Sequence, residues 1–366
     1  MNICFVTDPL TTTAGSVRPA ILLAQEFRKN NGDVSIITTR VDGNVERKLK
    51  EWGINVKVIG SDSRLIGEFP TLDAWVRNLV KNKVLDNRNA NVIINTSSCI
   101  VSASDVYYAQ GLMIETLKGM APIMPVWYRM AYYLANFPLR SMETKFIRRL
   151  RGSSKLFIAN SNFCASMYRQ AGVIVDKVVY PPLDCSLFKP SSLKPKEDYV
   201  LTHLGTYGKE GRFPIIKAIA DVGVQLKVFG KTYYAPKALL NHPNITFLGE
   251  IAEKKLIDAY SNALYTLCAF SHEPFGYIPI ESMACGTPVL TYNRQGPSET
   301  VVNEETGWLV NSDFELVSFA VKLWKKGYSK DMRKNCRKRA LSFNVTEIFA
   351  EWVNVLKNAM PERRAK

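Results

Sequence analysis

The sequence predicts an α/β protein of two Rossmann-like, doubly wound domains. Three observations carry that prediction. Short β-rich runs alternate with helix-period segments twice over, and the composition breaks once, at 181–198. The 366 residues also suffice for two domains of ordinary size, each with its own core. Strands that alternate with helices imply parallel sheets built from right-handed crossover units.

In the first half the strand candidates are 3–7, 34–38, 56–59, 92–95, 106–109, 156–160 and 178–180. Between the first two lies 17–30, where Ile21, Leu22, Ala24 and Phe27 recur near a helical period and basic residues close the segment. In the second half the candidates are 199–204, 226–229, 245–248, 264–270, 288–291 and 308–310. The break between the halves holds Pro181, Pro182, Pro190 and Pro195, and proline denies both helix and ladder bonds. It reads as a linker, which gives an N-terminal domain over 1–185 and a C-terminal domain over 186–344. The last apolar periodic segment, within 345–366, carries Phe349, Trp352, Val353 and Leu356. It is a helix free to pack anywhere, the first domain included. Two tandem doubly wound domains place an interdomain cleft between the carboxyl ends of both sheets, the usual ligand position in open α/β folds.

The composition, 22% charged and 46% hydrophobic, excludes wholesale disorder, collagen and coiled coil. A net charge of +15 favours anionic partners without choosing among them. The seven cysteines are odd in number, contain no CxxC pair and accompany only three histidines. Reduced thiols in a cytoplasmic protein are expected, not a disulfide framework or a zinc site. At the N-terminus, Asp8 and Pro9 end the first apolar run and no basic start precedes it, so no signal peptide is expected. The longest candidate for a membrane span, 119–139, is divided by Arg129 and punctuated by Pro122, Pro125 and Pro138. A cytoplasmic protein, or one peripheral on the cytoplasmic membrane face, is the expectation.

The most informative stretch is 272–310. It begins at the carboxyl end of the apolar strand 264–270, and Glu273-Pro274-Phe275-Gly276 cannot be regular structure. Gly276 permits an unusual turn and close ligand approach, Pro279 fits the first turn of a helix, and Gly286 ends that helix before the next strand. Such a strand–loop–helix aims free backbone N–H groups and a positive helix end into the cleft, where a pyrophosphate sits well. Glu273 lies before the helix and Glu281 about one turn inside it, so the two carboxylates can bracket a ligand at two depths and accept hydrogen bonds from its hydroxyls. The plainer reading is that Glu273 caps the helix and Glu281 complements its dipole. The loop Thr11–Ser16, with Gly15 and Ser16, follows the first strand and can meet a diphosphate or an acceptor.

Glu273-Pro274-Phe275-Gly276 with Glu281, then Met283-Ala284, Gly286-Thr287-Pro288-Val289, Gly296, Glu299 and Gly307-Trp308-Leu309-Val310, resembles the retaining family 4 glycosyltransferases of the GT-B fold. The likeness extends to Ile158-Ala159-Asn160-Ser161, to Val178–Asp184 with Phe188, and to Ile245-Thr246-Phe247-Leu248-Gly249. The resemblance implies that Glu273 contacts hydroxyls of the transferred sugar near the reacting carbon, and that Glu281 accepts hydrogen bonds from the nucleotide ribose. It implies that backbone N–H groups of Phe275, Gly276 and Tyr277 cradle the sugar and phosphates, and that Gly249 and Ile251 line the base. It also implies a leaving diphosphate stabilised by protein cations and helix dipoles, with no cofactor and no metal, in agreement with the absence of an Asp-x-Asp motif.

The chain departs from the family in two places. After Gly205, where an arginine is usual, it has Thr206, and Lys209 and Arg212 are out of step with the usual lysine. They are expected to share the phosphate role, since developing leaving-group charge needs a cation; two solvated loop side chains are the alternative. No histidine precedes His203, and Gln110 stands about where the family often has one. Gln110 can donate or accept a hydrogen bond but not transfer a proton, and a core-edge glutamine is the alternative. His272 reads as a packing residue before it reads as a base.

A second signal is the stretch 118–155, with eight Lys/Arg against the single acid Glu143. Trp127, Tyr128, Tyr132, Tyr133, Phe137 and Phe146 interleave with these cations. The pattern suits an anionic membrane surface; a solvated basic face competes, and nucleic acid is not the expected partner. The function expected is retaining transfer of a hexose from a nucleoside-diphosphate sugar to a hydroxyl of a glycan or lipid-linked glycan. Mannose is the first guess, because Pro181-Pro182-Leu183-Asp184 resembles the linker of mannosyltransferases. The alternatives are UDP-sugar-dependent glucosyl or N-acetylhexosaminyl transfer, a sugar-nucleotide hydrolase or epimerase, and a non-catalytic nucleotide-sugar-binding protein.

Overall fold

The computed structural model describes residues 2–59, 70–80, 84–86, 90–121, 124–192, 194–204, 212–231, 235–270 and 272–359. The chain divides into two compact units, one of Met1–Ile114, Ala135–Pro182 and Val345–Lys366, the other of Glu115–Leu134 and Leu183–Asn344.

Among the described residues, the first unit holds seven parallel strands: β1 (Asn2–Val6), β2 (Asp33–Thr38), β3 (Asn55–Val58), β4 (Val92–Asn95), β5 (Ser104–Ala109), β6 (Ser154–Ala159) and β7 (Lys177–Val178). They run in the order β3-β2-β1-β4-β5-β6-β7. Phe5 of β1 stands in register with Ile36 on one side and Ile94 on the other. Ile3, Cys4, Phe5 and Val6 are wholly buried, as expected of a parallel strand covered on both faces. The order reverses between β1 and β4, so the chain leaves these neighbours in opposite directions and opens a crevice at their carboxyl ends.

The first helix begins as a 3-10 turn, Gly15–Val17, and continues as Arg18–Lys29, with Pro19 in its first turn and Arg28 and Lys29 at its negative end. It buries Leu23, Ala24 and Phe27. The helix Val345–Ala359 packs in the same core, with Phe349 edge-on to Phe27 at 4.7 Å and Trp352 edge-on to Tyr108 at 5.2 Å. The proline-punctuated region contains a helix of 27 residues, Val126–Gly152, that runs on through Pro138. Pro138 is exposed there and costs the helix one backbone donor.

The second unit repeats the winding. Its described strands, β8 (Val200–His203), β9 (Leu226–Phe229), β10 (Ile245–Gly249), β11 (Thr266–Cys268), β12 (Val289–Tyr292) and β13 (Gly307–Val310), are parallel in the order β10-β9-β8-β11-β12-β13. The reversal falls between β8 and β11. β11 has three residues, shorter than the apolar run 264–270: the ladder ends where Thr291 Oγ1 donates to the Cys268 carbonyl.

The first part of the proline-rich segment 181–198 is built into the protein, while its later described residues are mostly exposed. Leu183, Cys185 and Phe188 are buried, and the Leu183 N–H donates to the Phe343 carbonyl at 2.8 Å. Arg337 donates to the carbonyls of Cys185 and Phe188 at 2.8 and 2.6 Å. The Arg337 guanidinium thus supplies donors to carbonyls of a stretch without regular structure, and ties residues 185–188 to the protein.

Trp352→Ala is expected to cost the first unit about 3–5 kcal/mol, the usual loss for emptying a fully buried tryptophan site, read as a lower midpoint in denaturant unfolding. An unchanged midpoint would mean that the C-terminal helix contributes nothing to this core.

Candidate active site

The site is built at the carboxyl end of β11, on the side of the second sheet where the strand order reverses. The chain leaves β11, forms the irregular stretch 272–276, and enters the helix Tyr277–Ala284. Gly276 is the residue before that helix, with φ 90°, a conformation that L side chains rarely adopt. A Cβ there would lie 3.2 Å from Glu273 Cγ, so the Glu273 side chain folds over the helix entrance. The first turn contains no acid and receives no side-chain cap from Gly276. Its backbone N–H groups form the positive end of the helix.

The stretch is pinned from outside by Gln295 and Gly296. The Glu273 N–H donates to Gln295 Oε1 at 2.9 Å, and the Gly296 N–H donates to the Glu273 carbonyl at 3.1 Å. At Gly296 an added Cβ would stand 2.3 Å from Phe275 Cα and 2.4 Å from the Pro274 carbonyl oxygen, so only glycine fits. Phe275 itself is buried, its ring 5.6 Å from Tyr277 and 6.1 Å from Phe343.

Glu281 lies inside the helix, 4% exposed, where the Tyr260 hydroxyl donates to its Oε2 at 2.9 Å. Burial, then the nearby Glu281 charge, pushes the Tyr260 hydroxyl well above its usual range, so it stays a donor. Cys268, the last residue of β11, locates the pair. Its thiol is pushed well up by burial and further by the charges of both Glu273 and Glu281. Both carboxylates are therefore near enough to the end of β11 for their charges to reach its thiol. At the far end of the helix, Arg337 donates to the Ala284 carbonyl at 2.9 Å and opposes the negative pole.

The other predicted residues of this unit are placed unevenly. Gly249 closes β10 with φ 67°, its carbonyl takes the Gly230 N–H at 2.9 Å, and Ile251 follows half-buried. Arg212 precedes the helix Phe213–Asp221 and is half-buried, with its guanidinium paired. Its guanidinium donates to Asp313 Oδ2 at 2.7 Å and to the Tyr292 hydroxyl at 3.3 Å, and that hydroxyl donates to Asp313 Oδ1 at 2.7 Å. Asp313 thus compensates the Arg212 charge at the carboxyl edge of β12 and β13. Gly205 and Lys209 lie outside the described residues. His272 is buried, as a packing residue would be.

In the first unit, Gln110 follows β5 and its Nε2 donates to the Thr96 carbonyl beyond β4 at 3.1 Å, joining two strand exits. Gly15, with φ 68°, and the exposed Ser16 form the 3-10 turn that follows β1. The reversal between β1 and β4 is stapled by Asp8, which the sequence marks only as the end of the first apolar run. Its carboxylate accepts from Ser97 Oγ at 2.8 Å and from the Ser98 N–H at 2.9 Å. Burial raises the Asp8 carboxyl from its usual value, and these hydrogen bonds pull against that rise. Tyr260, Gln295 and Arg337 also escaped the sequence reading, since nothing local to them says what they meet. Gly296 was visible only as part of the motif. Among the described residues, no group of three or more His, Cys, Asp or Glu is placed to hold a metal ion.

Comparison with known proteins fits this geometry. The family described as "Glycosyl transferases group 1" matches residues 186–342. The chain is 35% identical over 434 aligned positions to Alpha-1,3/1,6-mannosyltransferase ALG2 of Rhizomucor pusillus, covering 96% of this chain and 90% of that protein. A second match, to Alpha-1,3/1,6-mannosyltransferase alg-2 of Neurospora crassa, is 59% identical but spans 39 residues, 11% of this chain and 8% of that one. Among solved structures, Anabaena HepE in complex with UDP superposes with a TM-score of 0.70 at 18% identity, over 98% of this chain and 100% of that chain. The fold is that of the GT-B glycosyltransferases, two Rossmann-like domains, and the protein is a glycosyltransferase. The chain belongs to the group 1 glycosyltransferase family.

Gly296→Ala forces a backbone shift at Pro274 and Phe275, and is expected to destabilise the second unit by about 1–3 kcal/mol. Gly43→Ala, where an added Cβ meets nothing within 4 Å, is the control expected to match wild type. Thermal unfolding of both variants checks this, and equal midpoints would show that the stretch yields freely.

Proposed function

We propose that this enzyme is a retaining, family 4 glycosyltransferase that moves a hexose, mannose first, from a nucleoside-diphosphate sugar to a hydroxyl of a glycan or lipid-linked glycan. The observation that supports it most is the placement of Glu273 against the entrance of the helix that carries Glu281, an entrance with no acid in its first turn and no side-chain cap. In this reading the diphosphate lies against that entrance, held by backbone N–H groups of Phe275, Gly276 and Tyr277. Glu281, held by Tyr260, accepts from the ribose, and Glu273 accepts from hydroxyls of the sugar. Gly249 and Ile251 flank the base at the end of β10. Lys209 and Arg212 are the cations proposed for the diphosphate, Arg212 by exchanging Asp313 for phosphate. Gly205 is proposed to contribute to donor binding with them. In the first unit, Gly15, Ser16 and Gln110 are the proposed contributors, from the carboxyl edge of that sheet.

The chemistry balances without a protein base. The bond between the anomeric carbon and the diphosphate oxygen breaks, the acceptor oxygen bonds to the same face of that carbon, and the acceptor proton passes to the departing phosphate oxygen. The protein's part is to orient the sugar and stabilise the leaving charge with dipoles and cations, with no metal called on. Mannose is favoured by the name of the relative that is 35% identical over 96% of this chain. Its acceptor class, a glycan, follows the same relationship. The reading also puts the enzyme in the cytoplasm, peripheral on a membrane. All seven cysteines are free and buried, in keeping with a reducing compartment. No helix among the described residues is long and apolar enough to cross a membrane.

Glu273→Gln keeps the size of the side chain and removes its charge. It is expected to lower kcat by roughly 10²–10³-fold with an unchanged thermal midpoint, because a charged acceptor near the reacting carbon is lost. Turnover within a few fold of wild type would remove Glu273 from the reaction. A thermal-shift panel decides the donor: GDP-mannose is expected to raise the midpoint more than UDP-glucose or UDP-N-acetylglucosamine, and the reverse order overturns mannose. Dialysis against EDTA is expected to leave the transfer rate unchanged; loss of rate restored by added Mg²⁺ or Mn²⁺ would overturn the metal-free part.

A further inference from the structure

We propose that the N-terminal turns of the helix Val126–Gly152 insert into the interface of an anionic lipid bilayer, while the following turns of the same face hold headgroup phosphates. This deepens the peripheral-membrane part of the reading above and rests on it, but not on the donor chemistry. Val126, Trp127, Met130, Tyr133, Leu134 and Phe137 are 64%, 71%, 58%, 70%, 78% and 84% exposed. At about 100° per residue these positions fall within an arc of roughly 120°, so they form one apolar stripe three turns long. The same helix buries Tyr132, Phe146 and Leu150 on its other side, which fixes the direction in which the stripe points. A soluble surface rarely displays a contiguous run of this size without a use for it.

Charge chooses the occupant. Arg129, Lys145 and Arg148 are exposed and lie on or beside the continuation of that arc, the last two beyond Pro138. The one acid of the helix, Glu143, is buried and accepts the Ile114 N–H at 3.1 Å, so no exposed acid of this helix offsets these cations. An anionic bilayer meets both halves together: acyl chains take Leu134, Met130 and Phe137, the interface suits Trp127 and Tyr133, and headgroup phosphates meet the cations. A second copy would bring Lys145 and Arg148 against like charges in a chain that carries +15. Nucleic acid would satisfy the cations but leave Val126, Met130 and Leu134 in water.

The test is vesicle flotation of the full chain with no sugar nucleotide present. One set of vesicles is phosphatidylcholine alone, and the other contains about one third phosphatidylserine. The full chain is expected to float with the anionic vesicles, hardly at all with the neutral ones, and to be released by high salt. Leu134→Asp/Phe137→Asp and, separately, Lys145→Glu/Arg148→Glu are each expected to lower the bound fraction at least tenfold. Unchanged circular dichroism and thermal midpoints verify their folds. Glu273→Gln is expected to float like wild type, so a failure of docking and a failure of the transferase reading are told apart. Three results would overturn the proposal: flotation of both surface variants at the wild-type level, no difference between the vesicle types, or a dimer in solution that Leu134→Asp/Phe137→Asp converts to monomer. The last would make a second copy the occupant of the stripe.

Discussion

The stretch after β11 must place Glu273 and set the entrance of the helix that carries Glu281 without regular structure of its own, so its shape is borrowed from the chain it touches. Gly296 passes so close to Pro274 and Phe275 that a methyl group would not fit, and Gln295 takes the Glu273 N–H. That close approach sets where Glu273 leaves the backbone and where the helix Tyr277–Ala284 begins. The direction of the helix dipole and the depth of Glu281 follow from it.

Keeping such a site rigid takes support from behind. Arg337 holds the carbonyl end of the helix, and it also binds the carbonyls of Cys185 and Phe188. Arg333 reaches the carbonyls of Gly286, Ser261 and Ala263 and the Thr287 hydroxyl. Two arginines of one helix, Asp331–Leu341, thus satisfy irregular backbone on several sides of the site. Part of the basic excess is therefore structural: a guanidinium offers five donors in a fixed fork and suits carbonyls that no strand can pair. Arg212, compensated by Asp313, belongs to the same economy of internal charge. What remains outside is concentrated elsewhere, notably along Val126–Gly152.

The first unit uses the same winding with different fastenings. Its strand reversal is tied by a buried carboxyl, Asp8, which accepts from Ser97 and Ser98. An acid kept in that position tolerates burial because the donors converge on it. Its core is finished by the helix Val345–Ala359, which arrives from the far end of the sequence to cover Phe27 and Tyr108. Chain order and spatial order part company here, as doubly wound folds permit when termini lie close together.

Local pattern alone determined a good deal about this protein. The alternation of apolar runs with helical periods marks the strand sites, and Gly276, Pro279 and Gly286 frame the helix that carries Glu281, because backbone freedom and side-chain period are properties of a few adjacent residues. The same turn named Glu273 and Glu281 as candidates, while the roles expected of them came from the family resemblance. The order of strands in each sheet was not, nor was the partner of any buried polar group. Asp313 lies 101 positions from Arg212 and Tyr260 lies 21 from Glu281, and no periodicity reports on such distances. The burial of Leu183 and Phe188 in a proline-rich segment, and the passage of a helix through Pro138, were also decided in three dimensions. Each turns on whether a distant donor or a free solvent face is present to absorb a local cost, and only the folded chain brings those together.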